Sequence, residues 1–417
     1  MTGRDGIKGK NRRGMAVLGG AVGAFAAAAA MATGSAVTAA PAKADFEELL
    51  DPIIQPILTS LTDSLAGFDP TAAADLTSWT DSFLSSLNSL DLGAAASATA
   101  ASAAASPAAA TTISGTGDIP LTLREGTEPT VDVSIDGSTP QATLVDTGSS
   151  GLLVPINDLS LTQLFDLGFP TGINSVSFSG GIDAFYLEYN DASVAYGDGA
   201  SALTTSNTPI NVEFFSFPTS FSAGSPLDFQ QFLTDDASPG GILGIGASGE
   251  TGPGTGPFEA AGVSGVTVDI PQGELVVGPN AGTPIEPALN GAAIPVNSLT
   301  ETVTTSTGTL VGSGSVSDDV DSGGVYGTIP STIASSTLAQ GDVVTVTDGH
   351  TVLYQYTVGT DSFGTNEAPF VTTGTAGQAN GIDSGVEPFL HEPIFISYGG
   401  TNADGAITFD QPGSGTA

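Results

Sequence analysis

Two aspartates stand 175 residues apart in turns of matching layout. Asp146-Thr147-Gly148-Ser149-Ser150-Gly151 follows the strand-like run 142–145 and leads into Leu152-Leu153-Val154-Pro155. Asp321-Ser322-Gly323-Gly324 leads into Val325-Tyr326-Gly327-Thr328-Ile329-Pro330, and in both stretches a proline falls nine positions after the aspartate. Two carboxylates held within hydrogen-bonding distance do not both ionise readily, so such a pair retains one proton over a wide pH range. The ionised member can then take a proton from water while the protonated member polarises a carbonyl. That chemistry needs no metal and no thiol, and the chain has no cysteine. Gly148 and Gly323 let backbone amides approach the carboxylates closely, and the hydroxyls of Thr147 and Ser322 can brace the two turns.

Such turns need strands to hold them. Val131, Val133 and Ile135 alternate, Asp136-Gly137 turns the chain, and Ala142 and Leu144 lead back to Asp146, which reads as a hairpin. From Ile113 to the C-terminus, short runs of Val, Ile, Leu and Thr are punctuated by Gly, Asp, Asn and Pro, the pattern of an all-β body. If two half-domains begin near Ile113 and Glu286, the aspartates lie 33 and 35 residues into them, and equivalent turns can meet at one interface. A third D-S-G, Asp383-Ser384-Gly385, competes with Asp321. Only 34 residues follow Asp383 and its nearest proline, Pro388, is five positions on, so 382–398 reads instead as supporting and closing strands of the second half.

The organisation predicted is an export signal at 1–44, an amphipathic helical prosegment or surface module at 45–91, and an Ala/Ser/Thr-rich linker at 92–112. A first β lobe follows at 113–285 and a second at 286–417. Residues 1–44 combine a basic start, an apolar stretch from Met15 to Ala32 and small residues around Ala40-Pro41-Ala42. A membrane anchor is the alternative, and Arg12-Arg13 leaves open which export route is used. Within 45–91, Phe46, Leu49, Leu50, Ile53, Ile57 and Leu61 share one helical stripe, interrupted by Pro52 and Pro56. Beyond residue 44, Arg124 is the one Lys or Arg against 43 carboxylates, a formal net charge of −42. Such a chain repels nucleic acid and anionic membrane surfaces, and suits either an acidic setting or simple solubility outside the cell. The histidines, His350 and His391, are too few for a His-rich metal cluster and read as surface or strand-end residues.

The hairpin and DTGSSGLLVP of 131–155 resemble the N-terminal lobe of pepsin-like aspartic proteases. Three further stretches fall in that family's order: Val194-Ala195-Tyr196-Gly197-Asp198-Gly199, Gly241-Ile242-Leu243-Gly244-Ile245-Gly246 and Gly273-Glu274-Leu275-Val276-Val277-Gly278. They resemble the flap hairpin, the apolar-apolar-glycine support of the first aspartate turn, and the strand closing the first lobe. The leader, the acidic Ala/Gly-rich style and the DTGSSG…DSGG pair look most like the exported aspartic proteases of mycobacteria, often attached to PE domains, although no PE domain is evident here.

The resemblance implies a bilobal, all-β endopeptidase with Asp146 and Asp321 as catalytic dyad and Tyr196, Gly197 and Asp198 on a substrate-covering flap. Thr147, Gly148, Ser149, Ser322 and Gly323 would support the dyad. It also implies polypeptide substrates, no cofactor or metal, no membrane span in the mature chain, a monomer, and a secreted or cell-envelope location. Gly324 departs from the pattern, because a Ser or Thr commonly braces the second aspartate there. Asp319 replaces an apolar residue, and with Asp318 it crowds Asp321, which favours a mildly acidic optimum. A non-catalytic surface protein that keeps the pepsin-like scaffold for binding is the other reading.

Overall fold

The computed structural model describes residues 110–412, apart from 116, 169, 180, 198–201, 220–225, 236, 249–251, 292–294, 361–365, 373–380 and 400–404. The expected export signal (1–44), helical segment (45–91) and the linker up to residue 109 lie outside the described residues.

The first half contains β1 (Thr112–Ser114), β2 (Asp118–Pro120), β3 (Thr122–Arg124), β4 (Glu128–Ile135), β5 (Gln141–Asp146), β6 (Ser150–Pro155), β7 (Gly172–Phe178), β8 (Ile182–Tyr196), β9 (Leu203–Pro218) and β10 (Ile242–Ile245). Then come β11 (Gly265–Asp269), β12 (Glu274–Val277) and β13 (Leu289–Asn290). The second half continues with β14 (Val296–Thr304), β15 (Leu310–Asp319), β16 (Thr328–Pro330), β17 (Val343–Asp348), β18 (Thr351–Thr357), β19 (Phe370–Thr372), β20 (Gly381–Asp383), β21 (Ile394–Ser397) and β22 (Ala406–Phe409). Among the described residues the α-helices are short, as at Phe229–Asp235 and Pro257–Ala260.

The architecture is all-β, with a sheet system in each half and a shared sheet between them. In the first half β9, β6, β10, β5, β4 and β8 pair in that order, and β8 pairs back onto β9, closing a barrel-like sheet. The second half has the order β18-β17-β14-β15-β20, and beside it β16 pairs with β19. A further sheet, β13-β22-β21-β11-β12-β2, takes strands from both halves. Its inward side chains Ile119, Val266, Val268, Leu275, Ile394 and Ile396 are fully buried in one apolar core that reaches into both halves. Burying apolar surface at this scale is what offsets the entropy of ordering so many short strands.

Local chemistry sets the hairpin that delivers the first aspartate. Asp136 and Gly137 both have positive φ, 47° and 73°, the conformation of a two-residue turn that matches strand twist. β4 and β5 pair antiparallel with Val131 opposite Thr143, in a ladder that ends at Val133 opposite Gln141, and Asp146 arrives at the end of β5.

Candidate active site

β5 and β6 run either side of the Asp146 turn, and β10 is inserted between them, parallel to β5 and antiparallel to β6. Gly244 lies in register with both Asp146 and Gly151. A side chain at 244 would fall 2.8 Å from Ser149 Oγ, so glycine is what lets the support strand press against the turn. This is the role expected of the 241–246 stretch. The second half repeats the layout. β15 leads into the Asp321 turn, β16 leaves it, β20 runs parallel to β15, and the supporting role read into residues 382 onward is taken by β20. β6 pairs parallel with β9, and β16 pairs parallel with β19, with Pro155 and Pro330 ending the equivalent strands.

The two turns interlock. Thr147 Oγ1 donates to the Val320 carbonyl at 2.6 Å and accepts from the Ser322 amide at 2.8 Å. Reciprocally, Ser322 Oγ donates to the Val145 carbonyl at 2.7 Å and accepts from the Thr147 amide at 3.1 Å. Each hydroxyl satisfies a buried donor and acceptor of the opposite half, which an apolar residue could not do. The cross places the carboxyls face to face. Gly148 N–H donates to Asp146 Oδ1 at 2.9 Å and to Asp321 Oδ1 at 3.2 Å, and the two aspartate side chains share a hydrogen bond. Gly323 N–H donates to Asp321 Oδ1 at 2.8 Å, and Ser149 Oγ donates to Asp146 Oδ2 at 2.5 Å. Asp146, Asp321, Thr147, Gly148, Ser149, Ser322 and Gly323 thus come together in one buried constellation.

The electrostatics are one-sided. Burial first, then the charges of Asp146, Asp383 and Asp319, hold the Asp321 carboxyl well above the usual carboxylate range. Asp319, from the end of β15, is itself pushed up to about 7 by burial and by Asp146. Strand alternation sends Asp318 to the other face, where it is fully buried and accepts from Tyr354 Oη at 2.7 Å. Burial also holds Asp318 well above its ordinary value, with Glu301 contributing.

Tyr196 requires a correction. It ends β8 paired with Val133 and Leu203, has no exposed surface, packs its ring 4.8 Å from that of Phe258, and places its hydroxyl 3.3 Å from Thr205 Oγ1. A side chain enclosed in this way cannot close over a substrate without abandoning its packing, so the tyrosine expected on the flap is a core residue. Gly197 follows it with φ 81°, its amide donating to the Asp132 carbonyl at 2.8 Å. Asp198 lies outside the described residues.

Residues 383–385, in the support expected from 382 onward, touch the second turn directly. Ser384 Oγ accepts from the Asp321 amide at 3.1 Å, and Asp383 packs against Gly324. The recurrence of D-S-G was the available signal, although it points to a second aspartate turn and not to a neighbour of the first. Tyr326 is buried beside the same turn, and both histidines are exposed. Among the described residues no cluster of His, Cys, Asp or Glu could hold a metal ion, and no helix is long and apolar enough to cross a membrane.

A closed β-sheet system in one half, its counterpart in the other and two interlocked D-[ST]-G turns define an aspartyl peptidase-like protein. Residues 117–406 match the model of the PE-PGRS C-terminal aspartyl peptidase-like domain, and the chain belongs to that family. It is 33% identical over 324 residues to PE cleavage protein A of Mycobacterium tuberculosis, covering 72% of this chain and 53% of the relative. PE cleavage protein A of Mycobacterium marinum is 32% identical over 311 residues, 70% of this chain and 52% of the relative. The chain therefore spans about half the length of the curated relatives it matches. Among solved structures it is similar to an aspartic proteinase from Irpex lacteus, with TM-score 0.47 and 18% identity, covering 72% of this chain and 98% of that one.

Proposed function

We propose that this chain is an exported aspartic endopeptidase that hydrolyses extended polypeptides with Asp146 and Asp321 as its dyad. The observation that carries the reading is the reciprocal Thr147–Ser322 cross, which holds the two carboxyls within one hydrogen bond of each other. Asp321, buried and facing the Asp146 charge, suits the member that holds the shared proton and polarises the scissile carbonyl. Asp146, which accepts from both Gly148 N–H and Ser149 Oγ, suits the carboxylate that takes a proton from the attacking water. Water adds to the carbonyl carbon to give a tetrahedral gem-diol, and its collapse returns a proton to the leaving amine.

The relatives' name, PE cleavage protein A, favours segments of PE proteins as substrates. The Ala/Ser/Thr-rich linker expected at 92–112 is a second candidate, and because Thr112 already pairs with Ser206 in β9, cleavage ahead of β1 is favoured, which predicts a mature N-terminus within about 90–111. Secreted protein whose N-terminal sequence begins near Asp45 and nowhere later removes self-processing. The activity itself is tested by incubating purified protein with denatured polypeptides between pH 3 and 7. Cleavage blocked by a peptide carrying a hydroxyl-bearing tetrahedral carbon in place of the scissile carbonyl supports the dyad reading. No cleavage under any condition leaves the non-catalytic scaffold.

A further inference from the structure

Gly324 and Asp383 depart from the first half together. In the first half, position 149 carries a serine that braces Asp146, and the support strand reads Ile242-Leu243-Gly244, with Ile242 fully buried. In the second half, the equivalent turn position is Gly324 and the support reads Asp383-Ser384-Gly385. Asp383 is 4% exposed, its Oδ1 accepts from the Gly385 amide at 2.9 Å, and its Oδ2 has no partner among the described residues. A side chain at 324 would put its Cβ 2.8 Å from Asp383 Oδ2 and closer still to Oδ1. The carboxyl thus stands in the space that a bracing hydroxyl would occupy. The Thr328 hydroxyl accepts from the Asp383 amide at 2.9 Å and fixes the strand from the β16 side.

We propose that Asp383 is the positioning residue of the second aspartate: a third carboxyl that fills the place vacated at Gly324 and sets the pH at which Asp321 gives up its proton. The inference rests on the dyad reading given above. The titratable groups acting on Asp383 are Asp318 and Asp319 from β15 and Asp146 from the first half, and Asp383 acts in turn on Asp321. All are acids. A carboxyl with an unpaired buried oxygen is held neutral at acid pH, since burying its charge costs several kcal/mol or a shift in pKa. As pH rises, any charge that Asp383 takes on lies beside Asp321 and opposes its ionisation, which extends the protonated dyad to higher pH.

Asp383→Asn keeps the shape and the Gly385 bond but removes the ionisation. It is expected to move the alkaline limb of kcat/KM down by roughly one pH unit. Asp383→Ala opens the space and is expected to lose on the order of 100-fold in kcat. Gly324→Ser combined with Asp383→Ala rebuilds the first half's brace and recovers most of that loss. The same proton is followed without substrate as the infrared carbonyl band of protonated carboxyls, with Asp321→Asn identifying the Asp321 contribution. Loss of that band at lower pH in Asp383→Asn supports the proposal even if the parent cleaves nothing, an outcome that would sink only the peptidase reading. An alkaline limb and a carbonyl band that both superimpose on the parent's overturn it, as does a double variant no better than Asp383→Ala.

Discussion

Gly148 carries no side chain because the opposite aspartate occupies the space where one would go. A Cβ there would lie 2.5 Å from Asp321 Cγ, and one at Gly323 would lie 3.0 Å from Asp146 Cγ. Each glycine is thus the price of bringing the carboxyls together. Gly148→Ala is expected to reduce kcat on the order of 100-fold by pushing Asp321 aside, measured against an unchanged substrate panel. Activity near that of the parent would show that the close approach is not needed. The Thr147 hydroxyl has a different job, because it satisfies a donor and an acceptor of the other half. Thr147→Val keeps the volume and leaves the Ser322 amide and the Val320 carbonyl without their partner. A loss of about 1–3 kcal/mol in urea denaturation is expected, and a loss within error would mean that the cross is not what holds the turns.

At the scale of elements, the β8–β9 hairpin separates what sequence could and could not reveal. Tyr196-Gly197 was legible as the end of a hairpin, and β8 and β9 do turn there. Which face the tyrosine points to depends on strand register and on Phe258, some sixty residues away, and neither leaves a local signature. Tyr196→Phe is therefore expected to cost at most about 1.5 kcal/mol of stability through the lost Thr205 contact, with kcat unchanged. A large fall in kcat at unchanged stability would restore the flap role. The support strands give the opposite lesson. The Ile242-Leu243-Gly244 pattern was readable because its apolar-apolar-glycine sequence states its packing. Asp383-Ser384-Gly385 holds the equivalent place with a carboxyl and a hydroxyl, so only the parallel pairing of β20 with β15 reveals it.

The whole molecule is built around acids that prefer to be neutral. Burial is the first cause that pushes Glu213, Asp319 and Glu387 up to about 7 and Glu301 up to about 8, from ordinary values of 3.8 for aspartate and 4.5 for glutamate. Between those values and the raised ones, the folded chain holds protons that the unfolded chain has already released. Stability is accordingly full below about pH 4 and is lost progressively as the pH rises to about 8. Self-repulsion of a chain with a formal net charge of −37 acts in the same direction. Urea midpoints are expected to fall from pH 4 to pH 8, and a flat or rising series would contradict that account. The all-β class, the aspartate turns and their proline register were legible because short-range chemistry specifies them. The sheet shared between the halves was not, since its pairing of β11 with β21 joins residues about 130 apart.

The proposed peptidase activity depends on Asp146 and Asp321 acting as one dyad. Its most direct test is the cleavage rate of a denatured polypeptide near pH 5 by the parent, Asp146→Asn and Asp321→Asn, each first shown to melt as the parent does. Cleavage by the parent and its loss to background in both variants are expected. Cleavage that survives Asp321→Asn would place the second carboxylate elsewhere in the chain and contradict that dependence.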